Sequence, residues 1–406
     1  MKNIAKLHQH FLLNTYPFRG KVFSRGEGNY LIDDKDQRYF DVMINYGVNI
    51  FGYGHPQLNT AIKEQVDSLL NLHCSFANEV RAEAAQRLVK KAGGKLKKVY
   101  FANSGAEAVE AAIKFALLYS DRKGIISMEG GFHGKTLAAL SVTNNKKYRN
   151  GLTSSLMDIS FAKFNDIESL RSLITDQIAA VILEPIQGES GIIIPDDNYL
   201  AQVYALCKET NTLLILDEIQ TGAGRTGTFL ASQGMSSDEN IVQPDLVCLG
   251  KGIAGGIPSG VVLMSKVVAT NVAKAMQTST FGGNPLSCAG IKTVLELLSD
   301  AQLESVRDLG EYFINKLRNI DSDLLVEVRG KGLMIGVEID SKKVDRDQIL
   351  KQLQKEFILA SPAGDNVVRF LPPYTITKEE INQIVIKLKN VLENIIRENE
   401  RDQNHV

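Results

Sequence analysis

The chain has 406 residues, of which 44% are hydrophobic and 23% are charged, and its formal net charge is −1 at pH 7. This length exceeds one ordinary domain, so we expect a large α/β unit with at least one smaller unit. The near-zero charge argues against nucleic acid or an anionic membrane surface as a partner, and without a run of about 18 apolar residues no membrane span is expected.

The cysteines and histidines argue against two common kinds of site. Cys74, Cys207, Cys248 and Cys288 stand far apart without a C-x-x-C pair, which disfavours a disulfide framework and a thiolate zinc site. The six histidines include no H-E-x-x-H. We therefore expect no metal site and a reducing, cytoplasmic compartment.

The first 45 residues predict an N-terminal helix, an arm and a small hairpin. Basic residues surround the apolar residues 11–13, and the first acidic residue is Glu27. A transit peptide has a similar charge but is rich in serine, and this segment is not. Residues 26–33 and 39–42 predict the hairpin. We expect residues 1–45 to pack with the smaller domain.

Residues 46–290 alternate between short apolar runs and helical segments. Helical spacing covers residues 59–70 and 107–118, and the predicted strands are residues 99–101, 125–128, 178–183, 213–216, 246–249 and 261–264. Apolar strands that alternate with helices predict an α/β domain with a mostly parallel sheet covered on both faces. Functional groups in such sheets collect at the carboxyl ends of the strands.

Residues 291–406 predict a smaller α+β domain. One helical stretch covers residues 291–320, and residues 333–339 predict a strand. A closing helix begins at Lys378, where Thr377 and Glu380 have the spacing of a capping box.

One lysine stands at the end of a predicted strand between two glycines. The strand is residues 246–249, and Gly250, Lys251 and Gly252 follow it. Surface lysines usually lie among polar neighbours on helices, whereas this one follows a strand of the buried type. Partial desolvation lowers the pKa of such an ammonium, so Lys251 suits Schiff-base chemistry. A strand-end lysine that only reaches solvent is the alternative.

Two carboxylates follow another buried strand. Asp217 and Glu218 come directly after residues 213–216, where an uncompensated charge would cost several kcal/mol. We therefore expect a cationic partner. It could be a protonated pyridine nitrogen, a metal ion or a structural arginine.

Two loops supply further candidate groups. Residues 103–107 read N-S-G-A-E, follow a strand and open a helix, so their N–H groups form an anion site suited to phosphate. An ordinary N-cap turn is the alternative. Residues 130–134 read G-G-F-H-G and place the ring of Phe132 on a loop, where it could instead be a hydrophobic plug.

Two nucleotide-binding patterns match only in part. Residues 222–227 read G-A-G-R-T-G, but in a dinucleotide site the glycines directly follow the strand, and here residues 217–221 intervene with two negative charges. Residues 134–136 read G-K-T, but the first glycine of a P-loop falls on Glu129. We therefore expect neither a dehydrogenase nor a nucleotide hydrolase.

Six motifs, in this order, resemble those of the class-III pyridoxal-phosphate aminotransferases. They are N-S-G-A-E-A at 103–108, G-F-H-G at 131–134, E-P-I-Q-G-E at 184–189, L-D-E-I-Q-T-G at 216–222, G-K-G at 250–252 and T-F-G-G-N-P at 280–285. The resemblance runs from about Tyr16 to the C-terminal helix. Within the family the sequence is most similar to the acetylornithine and ornithine aminotransferases. The resemblance implies the fold-type-I α/β architecture, with a large cofactor-binding domain and a smaller α+β domain.

The resemblance assigns roles around the cofactor, pyridoxal 5'-phosphate. Lys251 would hold the cofactor aldehyde as an imine and then move the substrate proton, and Asp217 would keep the pyridine nitrogen protonated. The other implied cofactor contacts are Phe132 and Ile219 on the ring, Gln220 on the phenolic oxygen, and Ser104, Gly105, Ala106 and Thr280 on the phosphate. Thr280 would come from a second subunit, which implies a homodimer.

The resemblance also assigns substrate contacts. Arg369 would bind the α-carboxylate of 2-oxoglutarate, and a salt bridge from Glu189 would mask Arg369 when an ω-amine donor enters. Lys135 stands where the family usually has arginine, and an ammonium lacks the bidentate fork, so we expect weaker binding of the distal carboxylate or a different donor. The remaining implied contacts are Tyr16 and Tyr46 on the substrate side and Glu184 on the cofactor side.

The implied reaction is transfer of the terminal amino group of N-acetylornithine, or of ornithine, to 2-oxoglutarate by a ping-pong mechanism. Tyr46 matches an aromatic position of the ornithine enzymes, which keeps ornithine open as the donor. Transamination of 4-aminobutyrate, another ω-amino acid or a diamine is the alternative. A non-catalytic sensor or scaffold gains no support, because Lys251 and Asp217 are both present.

Overall fold

The structure is a computed structural model that describes residues 3–236 and 241–403. Its α-helices in these residues are α1 (Ile4–Phe11), α2 (Ile44–Gly47), α3 (Pro56–Ser68), α4 (Glu79–Ala92), α5 (Gly105–Ser120), α6 (Leu137–Ser141), α7 (Lys146–Arg149), α8 (Ile167–Leu173), α9 (Tyr199–Glu209), α10 (Ala231–Gly234), α11 (Lys266–Thr270), α12 (Pro285–Leu297), α13 (Asp300–Arg318), α14 (Arg346–Lys355) and α15 (Lys378–Gln403). Two 3-10 helices cover Thr153–Ser155 and Lys251–Ala254.

The β-strands in the same residues form three sheets. They are β1 (Phe23–Glu27), β2 (Tyr30–Asp33), β3 (Arg38–Asp41), β4 (Leu96–Ala102), β5 (Gly124–Met128), β6 (Ser160–Ala162), β7 (Ile178–Leu183), β8 (Leu213–Asp217), β9 (Leu246–Leu249), β10 (Gly260–Ser265), β11 (Leu325–Lys331), β12 (Met334–Ile339), β13 (Ile358–Leu359), β14 (Ser361–Ala363) and β15 (Val367–Phe370).

The largest sheet has the strand order β4-β10-β9-β8-β7-β5-β6. Strands β6, β5, β7, β8 and β9 pair in parallel, and β10 lies antiparallel between β9 and β4. The predicted, mostly parallel sheet is therefore confirmed. The sequence indicates neither the reversed direction of β10 nor the short strand β6.

Both faces of this sheet are buried, which explains why its strands are almost continuously apolar. In β8, Leu214 and Leu216 pack into a hydrophobic cluster on one face, whereas Leu213 and Ile215 pack into the cluster on the other. Helix α5 covers the second face with fully buried alanines. Small side chains let this helix, and the turn that opens it, lie close to the strands.

The N-terminal strands pair with a strand from the C-terminal part of the chain. Strands β1, β2 and β3 are antiparallel, and β3 pairs in parallel with β13, where Phe40 lies beside Ile358. Upstream, Arg19 donates a hydrogen bond from Nη1 to the Ala360 carbonyl at 3.1 Å. The N-terminal arm therefore contacts the C-terminal part of the chain, while the domain boundaries at residues 45 and 290 stay a prediction.

The third sheet has the order β11-β12-β15-β14 and is antiparallel. Helix α13 packs on β11 and β12 and also contacts α15. The predicted capping box opens α15, because Glu380 N donates to Thr377 Oγ1 at 3.1 Å and Thr377 N donates to Glu380 Oε2 at 3.0 Å.

The prediction of one helical stretch over residues 291–320 is wrong. Helix α12 ends at Leu297 and α13 begins at Asp300. Ser299 caps α13 by accepting a hydrogen bond from Gln302 N at 3.2 Å, and the buried Leu298 fills the bend. Serine can stand inside a helix or cap one, so the spacing of apolar residues alone does not reveal this break.

None of the helices in residues 3–236 and 241–403 combines the length and the apolar character that crossing a bilayer requires.

Candidate active site

The carboxyl ends of β4, β5, β7, β8 and β9 lie at one edge of the largest sheet, because these strands run in the same direction. A cavity of about 330 Å³ opens at this edge, and we call it the strand-end cavity. It is lined by Tyr16, Gly105, Ala106, Phe132, His133, Gly134, Lys135, Glu184, Glu189, Asp217, Ile219, Gln220 and Lys251. Of the predicted site residues, only Ser104, Thr280, Tyr46 and Arg369 do not line it.

Asp217 ends β8, and both of its carboxylate oxygens are bound. Oδ1 accepts a hydrogen bond from Ile219 N at 3.0 Å, and Oδ2 lies 2.7 Å from His133 Nδ1. Burial alone would lower the pKa of the His133 imidazole, but the hydrogen bond to Asp217 and its charge raise that pKa. His133 is therefore the partner of Asp217 in this structure. Among the described residues, the buried Nε2 of His133 has no hydrogen-bond partner.

Within the described residues, Glu218 is satisfied by hydrogen-bond donors rather than by a cationic side chain. Glu218 is fully buried and accepts hydrogen bonds from the Thr221 hydroxyl and from two N–H groups at the start of α10, at distances from 2.7 to 2.9 Å. Burial raises the pKa of its carboxyl, and these donors oppose that rise. Arg225, which follows Asp217 and Glu218 in the chain, donates from Nη1 to two backbone carbonyls at 2.6 and 2.9 Å.

Glu184 supports the loop that follows β5. Its Oε1 accepts a hydrogen bond from Phe132 N at 3.0 Å, and its Oε2 accepts one from Gly188 N at 3.0 Å. Burial raises the pKa of the Glu184 carboxyl to about 7, although the charge of His133 opposes this. Glu184 can therefore hold a proton near neutral pH while it fixes the Phe132 loop. We call Asp217, His133 and Glu184 the inner end of the cavity.

Lys251 begins the 3-10 helix directly after β9. Because β8 and β9 pair in parallel, Lys251 and Asp217 reach the same cavity. The backbone φ of Lys251 is 46°, in the left-handed region that costs a residue with a side chain roughly 1 kcal/mol or more. Burial lowers the pKa of the Lys251 ammonium, although the charge of Glu189 opposes this. A lowered pKa favours the nucleophilic free amine.

The N-terminus of α5 meets the cavity at Gly105 and Ala106. The first N–H groups of a helix lack partners within the helix, and the dipole of the 16-residue α5 favours an anion there. A Cβ at Gly105 would lie 2.8 Å from Ile219 Cδ1, so only glycine permits this close approach. Ser104 lies outside the cavity lining and caps the helix by accepting from Glu107 N at 3.2 Å.

Arg369 lies on β15, is fully buried and reaches Glu189 beside the cavity. Its Nη1 lies 2.7 Å from Glu189 Oε1 and also donates to the Gly188 carbonyl at 3.1 Å and to Gln220 Oε1 at 3.2 Å. Its Nε donates to Ser361 Oγ at 3.2 Å. In the described part of the chain, Nη2 is buried without a hydrogen-bond partner. The predicted pairing of Glu189 with Arg369 is therefore present.

Cations surround Glu189. Burial alone would raise the pKa of its carboxyl, but Arg369, Lys251 and Lys135 hold that pKa below its usual range. Glu189 keeps 27% of its side chain exposed, whereas Arg369 keeps none. The carboxylate is therefore the half of this ion pair that solvent can reach.

Lys135 and Tyr16 line the cavity, and Tyr46 and Tyr148 lie beside it. Together with Glu189 we call these residues the outer end. Lys135 is exposed, and its Nζ lies 4.4 Å from the ring centroid of Tyr148. The ring of Tyr46 lies 5.3 Å from Arg369 Cζ, which places it beside the cavity rather than in its lining. Tyr16 lines the cavity with 78% of its surface exposed.

Thr280 is exposed and lies outside the strand-end cavity. Its loop is tied to the turn that opens α5, because Asn103 Nδ2 donates to Ser279 Oγ at 3.1 Å. The role predicted for Thr280 concerns a second subunit, so it stays a prediction.

Three residues of this region are missing from the sequence-based assignment. His133 stands in the G-F-H-G motif on the loop that follows the buried strand β5, which is a usable signal, but Asp217 is 84 residues away. Tyr148 and Ser361 carry no such signal. Ser361 lies opposite Arg369 where β14 pairs with β15, and Tyr148 reaches Lys135 from α7, so both contacts depend on how neighbouring segments fold back on each other.

Known proteins similar to this chain point to one family. The family described as aminotransferase class-III matches residues 16–392. The chain belongs to the class-III aminotransferases. It is 40% identical over 388 residues to the acetylornithine aminotransferase of Aquifex aeolicus, covering 94% of this chain and 100% of that one. It is 38% identical over 400 residues to the ornithine aminotransferase of Macrococcus caseolyticus, covering 96% and 98%.

Solved structures agree with the family. The ornithine aminotransferase of Toxoplasma gondii matches with a TM-score of 0.92 and 29% identity, over 98% of this chain and 95% of that chain. That structure has partial occupancy of pyridoxal phosphate at its active site. The predicted fold-type-I architecture and the predicted aminotransferase class are therefore confirmed.

Proposed function

We propose that this class-III aminotransferase uses pyridoxal 5'-phosphate to move the terminal amino group of N-acetylornithine, or of ornithine, to 2-oxoglutarate. The observation that carries the proposal is the ion pair between Glu189 and Arg369, at 2.7 Å, beside the cavity that holds Lys251 and Asp217. The names of the relatives support these donors over 4-aminobutyrate.

The residues of the strand-end cavity fit this cofactor. A buried carboxylate, Asp217, lies at the inner end for a pyridine nitrogen, and the N-terminus of α5 offers N–H groups to a phosphate. Gly105 lies so close to Ile219 that a side chain at position 105 would not fit in this part of the cavity wall. Phe132 and Ile219 line the cavity from separate loops and would contact the ring. When bound, the cofactor withdraws electrons from the substrate carbon that loses its proton.

The inner end would fix the cofactor's electrostatics. Asp217 would pair with the ring nitrogen, and Ile219 N and His133 hold its two oxygens in place. Lys251 lies in the same cavity, and its lowered pKa makes the free amine available to take up and deliver a proton. Nζ of Lys251 would therefore take up and deliver the substrate proton, while the Asp217 side chain would keep its position.

The ion pair explains how one site could serve two kinds of amine. An ω-amine donor brings no carboxylate next to its reacting carbon, so Arg369 must be neutralised, and Glu189 does this. 2-Oxoglutarate and glutamate bring an α-carboxylate, which can replace Glu189 on the guanidinium of Arg369. Nη2 of Arg369 has no hydrogen-bond partner among the described residues and would complete a bidentate contact. This exchange would let one site bind the ω-amine donor in the first half-reaction and 2-oxoglutarate in the second, as a ping-pong mechanism requires.

Two features bear on the choice between the two donors. Lys135 offers the distal carboxylate a point charge instead of an arginine fork, which favours looser recognition. Tyr46 lies beside Arg369 and is the feature that supports ornithine. Both donors therefore belong to the proposal.

A homodimer and a cytoplasmic location belong to the same proposal. Thr280 stands beside Phe281, whose surface is 60% exposed, and Phe76 is 64% exposed. Arg81 ties these two regions together by donating to the carbonyls of Phe76 and Gly283 at 2.9 and 2.5 Å. An exposed apolar surface around Thr280 supports its burial against a second copy.

A donor panel tests the reaction. The purified holoenzyme is assayed with 2-oxoglutarate and with N-acetylornithine, ornithine, 4-aminobutyrate or putrescine, and kcat/KM is measured for each. We expect one of the first two to lead. A preference above tenfold for 4-aminobutyrate or putrescine contradicts the proposal. Lys135→Arg should improve the use of N-acetylornithine severalfold, and no change would mean that Lys135 does not meet the donor.

A further inference from the structure

A second cavity, of about 540 Å³, adjoins the strand-end cavity, and we call it the neighbouring cavity. Phe132 and Glu189 line both cavities. Tyr148 lines only the neighbouring cavity, and Lys135 lines only the strand-end cavity. The contact of the Lys135 ammonium with the Tyr148 ring therefore lies at the boundary between the two.

The position of Tyr148 is fixed by the loop after β5. Asn144 N donates to the Gly131 carbonyl at 2.9 Å, and Gly130 N donates to Asn144 Oδ1 at 3.2 Å. The Tyr148 ring meets the Phe132 ring edge to face, with centroids 5.7 Å apart and an interplanar angle of 75°. The segment that carries Tyr148 and the loop that carries Phe132 and Lys135 thus behave as one packed unit.

Lys135 needs an external support to have a defined position. Its side chain is long, flexible and exposed, and an ammonium is a point charge without the fixed fork of arginine. The centroid of Tyr148 lies 4.4 Å from Nζ, well within the range of a cation–π contact, and Phe132 adds a second ring at 5.8 Å. Lys135 and Glu189 both line the strand-end cavity, and the charge of Lys135 contributes to the lowered pKa of the Glu189 carboxyl.

Tyr148 is half-buried and remains a neutral phenol. Burial raises the pKa of its hydroxyl, and the negative charge of Glu189 raises it further. The ring therefore keeps the electron-rich face that attracts a cation.

We propose that Tyr148 is a positioning residue that determines specificity: its ring holds the Lys135 ammonium at the cavity boundary, where that ammonium receives the distal carboxylate of 2-oxoglutarate. The inference rests on the proposed function, because it names how that reaction's acceptor is recognised. In this chain a lysine and a tyrosine together do what an arginine fork would do alone. Only ligands with a distal carboxylate should respond to the loss of the ring.

The test compares 2-oxoglutarate with 2-oxopentanoate, which has the same chain length but no distal carboxylate. In Tyr148→Leu holoenzyme, kcat/KM for 2-oxoglutarate should fall about tenfold, through KM, while the value for 2-oxopentanoate stays within about twofold. Tyr148→Phe keeps the ring and should restore wild-type selectivity within about twofold. Tyr312→Leu is the matched control, because it removes a ring that contacts Lys316 and Lys378 away from both cavities.

Equilibrium binding separates this inference from the proposed function. Calorimetry on the holoenzyme should give a Kd for glutarate that rises about tenfold in Tyr148→Leu, and a Kd for pentanoate that does not change. An equal loss for both acids, or no loss for either, overturns the role of Tyr148, and so does a Tyr148→Phe variant that behaves like Tyr148→Leu. If the wild type transfers no amino group from N-acetylornithine or ornithine, the proposed function is wrong. A selective loss of glutarate binding in Tyr148→Leu would still support the positioning role of Tyr148.

Discussion

At the inner end of the strand-end cavity, Asp217, His133 and Glu184 are almost completely buried, and fixed donors hold both oxygens of each carboxylate. At the outer end, Glu189 keeps 27% of its side chain exposed, and Lys135 stands on the surface with aromatic rings as its support. The first region consists of groups that cannot change partners without leaving a buried charge unpaired, which costs several kcal/mol. The second region consists of groups that can change partners.

This difference suits the inner end to the chemical steps and the outer end to the choice of substrate. A ring nitrogen needs the same counter-charge in both half-reactions, so a rigid inner end suits it. Substrates that differ in the position of their carboxylates need a receptor that can be covered and uncovered. In the function we propose, the exposed half of the ion pair between Glu189 and Arg369 would supply this freedom.

The largest effect is expected from removal of Lys251, the nucleophile that lies in the same cavity as the inner end. Lys251→Ala should fold normally but lose turnover by several orders of magnitude, because the nucleophilic amine is gone. Circular dichroism checks that the variant folds, and stopped-time assays of glutamate formation measure its turnover. Lys266→Ala is a matched control, since Lys266 also directly follows a strand but is exposed outside the cavity. Near-normal turnover, or borohydride labelling of a different lysine, would show that the assignment is wrong.

A smaller loss is expected from Asp217→Asn. The amide keeps the shape of the side chain but cannot stabilise a protonated ring nitrogen, so the variant should retain cofactor while turnover falls about a hundredfold or more. Single-turnover absorbance with the amino donor measures the proton transfer directly. Asp245→Asn serves for comparison, because Asp245 binds Lys95 at 2.7 Å and Leu214 N at 2.9 Å away from the cavity. A normal rate in Asp217→Asn would reduce Asp217 to a structural role.

The pH dependence of stability tests the burial of Glu184. Its folded-state pKa of about 7 lies above the ordinary value of 4.5. The folded protein therefore binds the extra proton between these values, and this contribution to stability is complete below pH 4.5 and is lost as pH rises through 7. The loss amounts to roughly 3 kcal/mol in the free energy of unfolding.

Glu184→Gln should flatten that part of the pH profile, because the amide does not titrate. Urea unfolding at pH 5 and pH 8 measures the difference for both proteins. Glu311→Gln replaces an exposed glutamate on α13 and should keep the wild-type slope. Equal slopes in wild type and Glu184→Gln would refute the raised pKa.

The smallest effect is expected at the outer end. Glu189→Gln leaves Arg369 uncovered in both half-reactions, so glutamate should compete better as a donor. The preference for the ω-amine over glutamate should fall about tenfold or less, because an amide can still accept one hydrogen bond. Competition kinetics with both donors present gives this ratio, with Glu393→Gln on the surface of α15 as the control. An unchanged ratio would mean that the ion pair does not act as a mask.

The sequence alone predicts the parts that depend on local pattern. The apolar strands with Lys251 and Asp217 at their ends, and the capping box at Thr377 and Glu380, are legible because hydrophobic period and capping chemistry extend over a few residues. The six ordered motifs indicate the family, which the match over residues 16–392 confirms. The break at Leu298 escapes the same reasoning, since the apolar spacing continues on both sides of it.

Only the tertiary structure decided which partners these groups meet. Asp217 lies beside His133 from 84 residues away, and Glu189 meets Arg369 across 180 residues. Lys135 rests on Tyr148 because Asn144 binds the loop after β5. Such pairings depend on where packed strands and loops bring distant segments, and on whether water or a donor reaches each charge. No local pattern records these distances, so the sequence determined the chemical groups and the packing determined their partners.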